Sequence, residues 1–112
     1  MKKLTSEQRF ELAEWKFEES KRYGKIYFIQ GELTKLIKIG FTSDLKKRLE
    51  SFEYCSPDKL ILLGFMPGDE KMEAKLHNTF KRYHHHGEWF RPNKKLFEFI
   101  KIIKDENVDA GD

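Results

Sequence analysis

Two short apolar runs constrain this chain most. They are Lys25-Ile26-Tyr27-Phe28-Ile29-Gln30 and Leu36-Ile37-Lys38-Ile39-Gly40-Phe41, joined by a connection centred on Gly31-Glu32-Leu33-Thr34. Both are rich in β-branched and aromatic residues, which suit a pleated, half-buried surface. So short a link cannot hold a crossover helix, so the pair predicts an antiparallel hairpin. Alternation puts Ile26, Phe28 and Gln30 on one face and Lys25, Tyr27 and Ile29 on the other. In the second run Leu36, Lys38 and Gly40 oppose Ile37, Ile39 and Phe41. Tyr27 and Lys38 are therefore polar groups set inside otherwise apolar strands.

The flanking sequence supplies helices and one more strand. Thr5 and Gln8 fit a capping box for a helix reaching about Tyr23, with Phe10, Ala13 and Phe17 on one side and Leu12 and Trp15 on another. Gly24 fits the end of that helix. Thr42-Ser43-Asp44 offers N-cap chemistry for a helix from Leu45 to about Tyr54, with Leu45, Leu49 and Phe52 as its buried stripe and Arg48 beside it. Lys59–Phe65 reads as a third strand, and its near-continuous apolar run predicts a central strand covered on both faces. A third helix is predicted from about Glu70 to Tyr83, with Met72, Leu76, Thr79 and Tyr83 inward and Glu73 and His77 at i and i+4. His84–Gly87 would end it, and Glu88-Trp89-Phe90 would form an extended aromatic patch lying over it. Asn93 caps a final helix whose buried stripe is Leu96, Phe97, Ile100 and Ile103. The acidic stretch from Asp105 is expected to be disordered.

With 112 residues the chain fits one domain with one modest core. No apolar run approaches the roughly 18 residues of a membrane-spanning helix, and no signal-peptide pattern follows Met1. The single cysteine, Cys55, excludes an internal disulfide and a cysteine-built zinc site, and a cytoplasmic location is expected. The net charge of +3 is unevenly spread. Residues 34–49 hold five basic side chains against Asp44, and residues 71–95 hold seven against Glu73 and Glu88. Such concentration favours a polyanion, although an ordinary solvated Lys/Glu surface accounts for the charge equally well.

Tyr27, Lys38, Arg48 and Glu73 together are a set suited to phosphodiester hydrolysis. One carboxylate can hold a Mg²⁺ that keeps several waters. The guanidinium fork of Arg48 matches phosphate oxygens. Tyr27 or Lys38 would accept the proton of an attacking water if cationic neighbours lowered its pKa. Each residue alone also has an ordinary structural role: a strand aromatic, a sheet-edge charge, an aliphatic cover for the core, a solvated helix face. His84–His86 offer donors for a transition-metal site with Glu73 or His77, but consecutive histidines seldom point to one centre, and a polar helix end is the expectation.

Order and spacing sharpen this reading. Lys25-Ile26-Tyr27, Lys38-Ile39-Gly40, Arg48-Leu49 and Glu73 resemble the signature of the GIY-YIG nuclease superfamily. Over about residues 24–100, KIYFIQ, KIGFTSDLKKRL, LILLGFMPG, MEAKLHNTF and GEWF resemble its phage- and bacteria-associated T5orf172 or MUG113-like branch. Two positions depart from the pattern: Lys25 stands where the first tripeptide opens with glycine, and Lys38 where the second opens with tyrosine.

The resemblance implies an α+β fold with a three-stranded antiparallel sheet flanked by helices, here with an extra N-terminal helix. Its domain would span residues 24–104, between an extension over 1–23 and a tail over 105–112. It implies a DNA endonuclease using one Mg²⁺ or Mn²⁺, with a non-catalytic nucleic-acid-binding module on the same fold as the alternative. Tyr27, with Lys38, would activate water, Arg48 would hold the phosphate and Glu73 the metal. His77 falls on the histidine that follows the glutamate in this branch and joins the catalytic candidates. Lys35, Lys46, Lys47, Lys75, Lys81 and Arg82 are the expected DNA-binding side chains. Self-association, or a partner that confers specificity, is expected through the N-terminal helix, and no membrane contact.

Overall fold

A computed structural model describes residues 24–110, with side chains to residue 106. The predicted N-terminal helix, with Leu12 and Trp15, lies outside the described residues. The chain forms β1 (Lys25–Gly31), β2 (Ile37–Thr42), α1 (Leu45–Cys55), β3 (Leu60–Pro67), α2 (Glu70–Thr79), a 3-10 turn over Lys81–Tyr83, β4 (His84–His86), β5 (Trp89–Phe90) and α3 (Lys94–Ala110). The helical backbone of α3 thus continues past Asp105, where composition predicts disorder.

The sheet is antiparallel with five strands in the order β3-β1-β2-β5-β4, which corrects the expected three-stranded sheet. The two added strands come from the histidine run and the aromatic patch. α2 stops at Thr79, and Gly87, at φ +52, turns β4 back on β5. β5 then adds to β2 by pairing Phe90 with Ile37 and Trp89 with Lys38. Strands of two and three residues are too short to carry a period-two hydrophobic signal, so this edge was not legible as sheet. The aromatic lid expected over α2 is this fifth strand. Phe90 is fully buried, and its ring meets the His77 ring edge-on at 5.0 Å between centroids.

β3 also differs from expectation: it is an edge strand, and β1 is central. Its apolar run is long because helices cover both of its faces, not because strands flank both of its edges. Leu60, Leu62 and Phe65 pack toward α1, while Leu63 and Met66 pack toward α2 and α3. A register shift opposite Phe28/Ile29 leaves Leu63 as the extra residue of a bulge.

The predicted alternation of the hairpin divides the core into two. Ile26, Phe28, Ile37 and Ile39 join Leu76, Phe80, Phe90, Leu96, Ile100 and Ile103 under α2 and α3. Tyr27 and Ile29 join Leu45 on the opposite face, covered by Leu49 and Phe52 of α1. Each helix starts on a side-chain cap: Asp44 accepts from the Lys47 N–H at 3.1 Å, Asp69 from Met72 at 2.9 Å and Asn93 from Leu96 at 2.9 Å. Two stripe positions differ from the reading, since Thr79 and Phe97 are exposed while Phe80 takes the inward place at the end of α2.

Candidate active site

The site grows from an edge that the sheet leaves unfinished. β5 covers β2 only at Ile37 and Lys38, with one further bond from the Ile39 N–H to the Glu88 carbonyl at 3.0 Å. Alternate residues of a strand direct their backbone groups to the same edge, so the Ile39 carbonyl and the Phe41 N–H face the open side. Buried backbone groups need partners, and α2 supplies both. His77 Nε2 donates to the Ile39 carbonyl at 2.8 Å, which places a proton on Nε2. The Glu73 carboxylate accepts from the Phe41 N–H. The i, i+4 spacing of Glu73 and His77 therefore matches alternate backbone groups of β2, and these two side chains stand in for a missing strand. Replacing His77 with Ala should cost about 1–3 kcal/mol by denaturant unfolding, because it orphans the carbonyl of fully buried Ile39.

From the other face of the sheet, Tyr27 reaches the same edge. It lies opposite Gly40 across the β1–β2 ladder. A Cβ on Gly40 would collide with the Tyr27 ring and hydroxyl, so the phenol lies flat across the place where a side chain would stand. Phe52 holds the ring from α1, with centroids 5.9 Å apart. The glycine of Lys38-Ile39-Gly40 is thus the passage by which a tyrosine from the central strand extends its hydroxyl over β2.

Arg48 and Lys38 complete the surroundings. Arg48 lies in the first turn of α1, its N–H bonded to the Asp44 carbonyl at 3.0 Å, and its side chain is exposed. Lys38 Nζ is 3.6 Å from Glu88 Oε2, 5.2 Å from the centroid of the Phe52 ring and 5.9 Å from that of Trp89. Glu88 was not among the expected site residues. The available signal was its place as one of two acids in the basic stretch 71–95.

Charge links these groups. Burial pushes the Tyr27 hydroxyl up to about 12; Arg48 opposes the rise, while Glu88 and Glu73 add to it. This is the reverse of the lowering by cationic neighbours that water activation seemed to require, because the central strand desolvates the ring more than one exposed guanidinium can offset. Above pH 10 the unfolded chain ionises this tyrosine while the fold resists, so its contribution to stability is complete below pH 10 and lost as pH rises toward about 12. Tyr27→Phe should therefore reduce the alkaline loss of stability by roughly 2–3 kcal/mol, followed by urea unfolding between pH 9 and 12.

Burial also raises the Glu73 carboxyl, followed by repulsion from Glu88 and Glu70; His77 and the Phe41 N–H act in the opposite direction. A carboxylate strained by burial and by a neighbouring acid is one that a cation relieves. Among the described residues no group of three or more His, Cys, Asp or Glu side chains is placed to hold a metal. Mg²⁺ requires no such cluster, since it commonly takes one or two carboxylates and completes its shell with waters and phosphate oxygens. The Glu73 carboxylate fits such an ion.

The remaining candidates are scattered. Lys46 and Lys47 share the first turn of α1 with Arg48, at the site's end of the hairpin. Lys35 sits at the far end, in the β1–β2 turn with φ 65. Lys75 projects from α2, and Lys81 and Arg82 from the following turn, all exposed. In the histidine run His84 Nε2 bonds the Gly87 carbonyl at 2.9 Å, and His85 and His86 contact each other. A groove of about 490 Å³ lies between α1 and the Asp58–Leu62 segment, and Phe52, which backs the Tyr27 ring, is among its lining residues. No helix among the described residues is long and apolar enough to cross a membrane.

No curated protein and no solved structure matches the chain, whereas the T5orf172 domain matches residues 24–104, most of its length. With its hairpin, helix arginine and helix glutamate gathered at one edge of the sheet, the chain belongs to the T5orf172 family, a GIY-YIG-related nuclease branch.

Proposed function

We propose that this protein is a metal-dependent endonuclease that hydrolyses DNA phosphodiester bonds at the open edge of β2. The observation that carries this reading is the Tyr27 hydroxyl, which crosses over Gly40 toward the open edge of β2 and there feels the charge of Arg48 from α1 and of Glu73 from α2. The bond to the Phe41 N–H accounts for Glu73 at this edge, but not for the charge of Arg48 beside Tyr27.

Arg48 would bind a non-bridging phosphate oxygen and stabilise the charge that grows on it in the transition state. The Tyr27 hydroxyl is neutral in the free protein, which supports an orienting role: its oxygen accepts a hydrogen bond from the attacking water. Transfer of the proton to Tyr27 would then depend on positive charge arriving with the substrate. Lys38 would add positive potential beside the phosphate path. Glu73 would hold a Mg²⁺ or Mn²⁺, which when bound polarises the phosphate and supports the leaving oxygen. The exposed Lys46 and Lys47 extend the same positive surface along α1, and the shallow form of the edge suits a polymer better than a small molecule.

Supercoiled plasmid incubated with the full chain and Mg²⁺ or Mn²⁺ tests this directly. Nicking that EDTA abolishes is the expected result. Salt-sensitive DNA binding without any nicking in either metal would overturn it and leave a non-catalytic nucleic-acid-binding module.

A further inference from the structure

Lys38 has an unusually full set of neighbours for a lysine on a sheet edge. Glu88 takes hold of β2 twice, at successive residues. Its main-chain carbonyl accepts the Ile39 N–H at 3.0 Å, and its carboxylate lies 3.6 Å from the Lys38 ammonium. The next residue, Trp89, pairs with Lys38 in the β2–β5 ladder and offers its ring to Nζ at 5.9 Å, while Phe52 offers a second ring at 5.2 Å from α1. The side chain of Lys38 is only 20% exposed and that of Glu88 42%, so the ammonium is enclosed while the carboxylate still meets solvent. A lysine left to itself on a strand would sweep many rotamers, at a conformational cost of up to about 2 kcal/mol when it is fixed. Here an acid and two rings from two different elements restrict it.

An ordinary surface ion pair explains the charge contact but not this convergence. β5 is only two residues long, yet the glutamate before it anchors both the Ile39 backbone and the Lys38 side chain, next to Gly40, the β2 residue that faces Tyr27. Glu88 also acts by charge on both Tyr27 and Glu73, so it belongs to the same electrostatic unit. Two acids and a neutral phenol beside a phosphate path would repel the substrate unless the cations there were held in place.

We propose that Glu88 is a positioning residue for Lys38: it holds the ammonium between Phe52 and Trp89 at the open edge of β2, ready for a nucleic-acid phosphate to take the place of the Glu88 carboxylate. The phosphate part of this assignment rests on the endonuclease reading; the restraint of Lys38 by Glu88 does not.

Competitive acetylation of lysines with acetic anhydride, read by mass spectrometry on the full chain, separates the two. Glu88→Gln keeps the main-chain bond to Ile39 and the side-chain volume but removes the charge. Lys38 should then react about two- to five-fold faster relative to Lys101, the range expected for losing a partly exposed ion pair, and Glu88→Asp should restore much of the protection. In the wild type, 1 M NaCl should produce a similar rise without any substitution, because screening at that salt acts within about 3 Å. In plasmid cleavage, Glu88→Gln should lower kcat about ten-fold with a smaller change in KM, and adding it to Lys38→Met should cause no further loss. Unchanged Lys38 reactivity in Glu88→Gln and in high salt overturns the positioning role, whatever the cleavage result. Increased reactivity in a protein whose wild type never nicks DNA keeps the restraint and sinks both the phosphate role and the endonuclease reading.

Discussion

Glu73→Gln should abolish metal-dependent nicking, by about a thousand-fold or more, and at the same time raise the thermal midpoint at neutral pH. The loss of activity follows from removing the carboxylate proposed to hold the metal, an interaction worth several kcal/mol of transition-state stabilisation. The gain in stability follows from the sign of the Glu73 shift. Burial, then Glu88, hold its folded carboxyl above the ordinary value of 4.5, so the fold binds that proton more tightly than the unfolded chain does. Stability is therefore lost as pH rises from 4.5 through the raised folded value, so above that range the carboxyl is a cost to the fold. Gln carries no such charge, and its carbonyl can still accept the Phe41 N–H. Thermal melts of both proteins at pH 4 and pH 8 check this: the variant's advantage should grow with pH. Mg²⁺ should stabilise the wild type alone, narrowing the gap, since a ligand that binds only the fold adds to its stability. A Glu73→Gln protein that still nicks plasmid would remove Glu73 from the mechanism.

Gly40→Ala should be the most damaging single-methyl change in the hairpin. Its Cβ would overlap the hydroxyl and distal ring of Tyr27 and come within 2.8 Å of Cε1. Tyr27 is 2% exposed and backed by Phe52, so the ring has nowhere to retreat without disturbing the core under α1. Overpacking of this kind costs about 1–3 kcal/mol, and the displaced hydroxyl should reduce cleavage by about a hundred-fold. A double-mutant cycle isolates the cause. With Tyr27→Ala in place the same Gly40→Ala change should cost almost nothing or help slightly, because alanine suits a strand better than glycine. Equal costs in the two backgrounds would show that Gly40 serves some purpose other than clearing a path for Tyr27.

Much of this fold is local and was legible as such. The hairpin reads directly from two β-rich runs and a short link, and its alternation divides Ile26, Phe28, Ile37 and Ile39 from Tyr27 and Ile29 as the two cores do. Asp44 and Asn93 cap the helices that their positions predict. The strands that escaped notice are those whose stability is not their own. Trp89-Phe90 is a strand only because the edge of β2 needs hydrogen-bond partners and the core accepts Phe90. β3 is likewise apolar through helix cover on both faces, a pattern that a single sequence does not distinguish from a place between two strands.

The sequence by itself determined the order of the candidate residues and the elements that hold them: Tyr27 and Lys38 in strands, Arg48 in the first turn of a helix, Glu73 and His77 one turn apart on the next. These follow from period and spacing, which are properties of the chain. Tertiary structure alone decided where they meet and in what state. The short β5 leaves the Ile39 carbonyl and the Phe41 N–H without a strand partner on that edge, so Glu73 and His77 dock there, and Gly40 lets Tyr27 cross to the same edge. Burial then holds the Tyr27 proton in place, and Glu88 enters as the neighbour of Lys38. Proximity across the sheet and loss of solvent depend on packing between distant segments, and no local pattern encodes either.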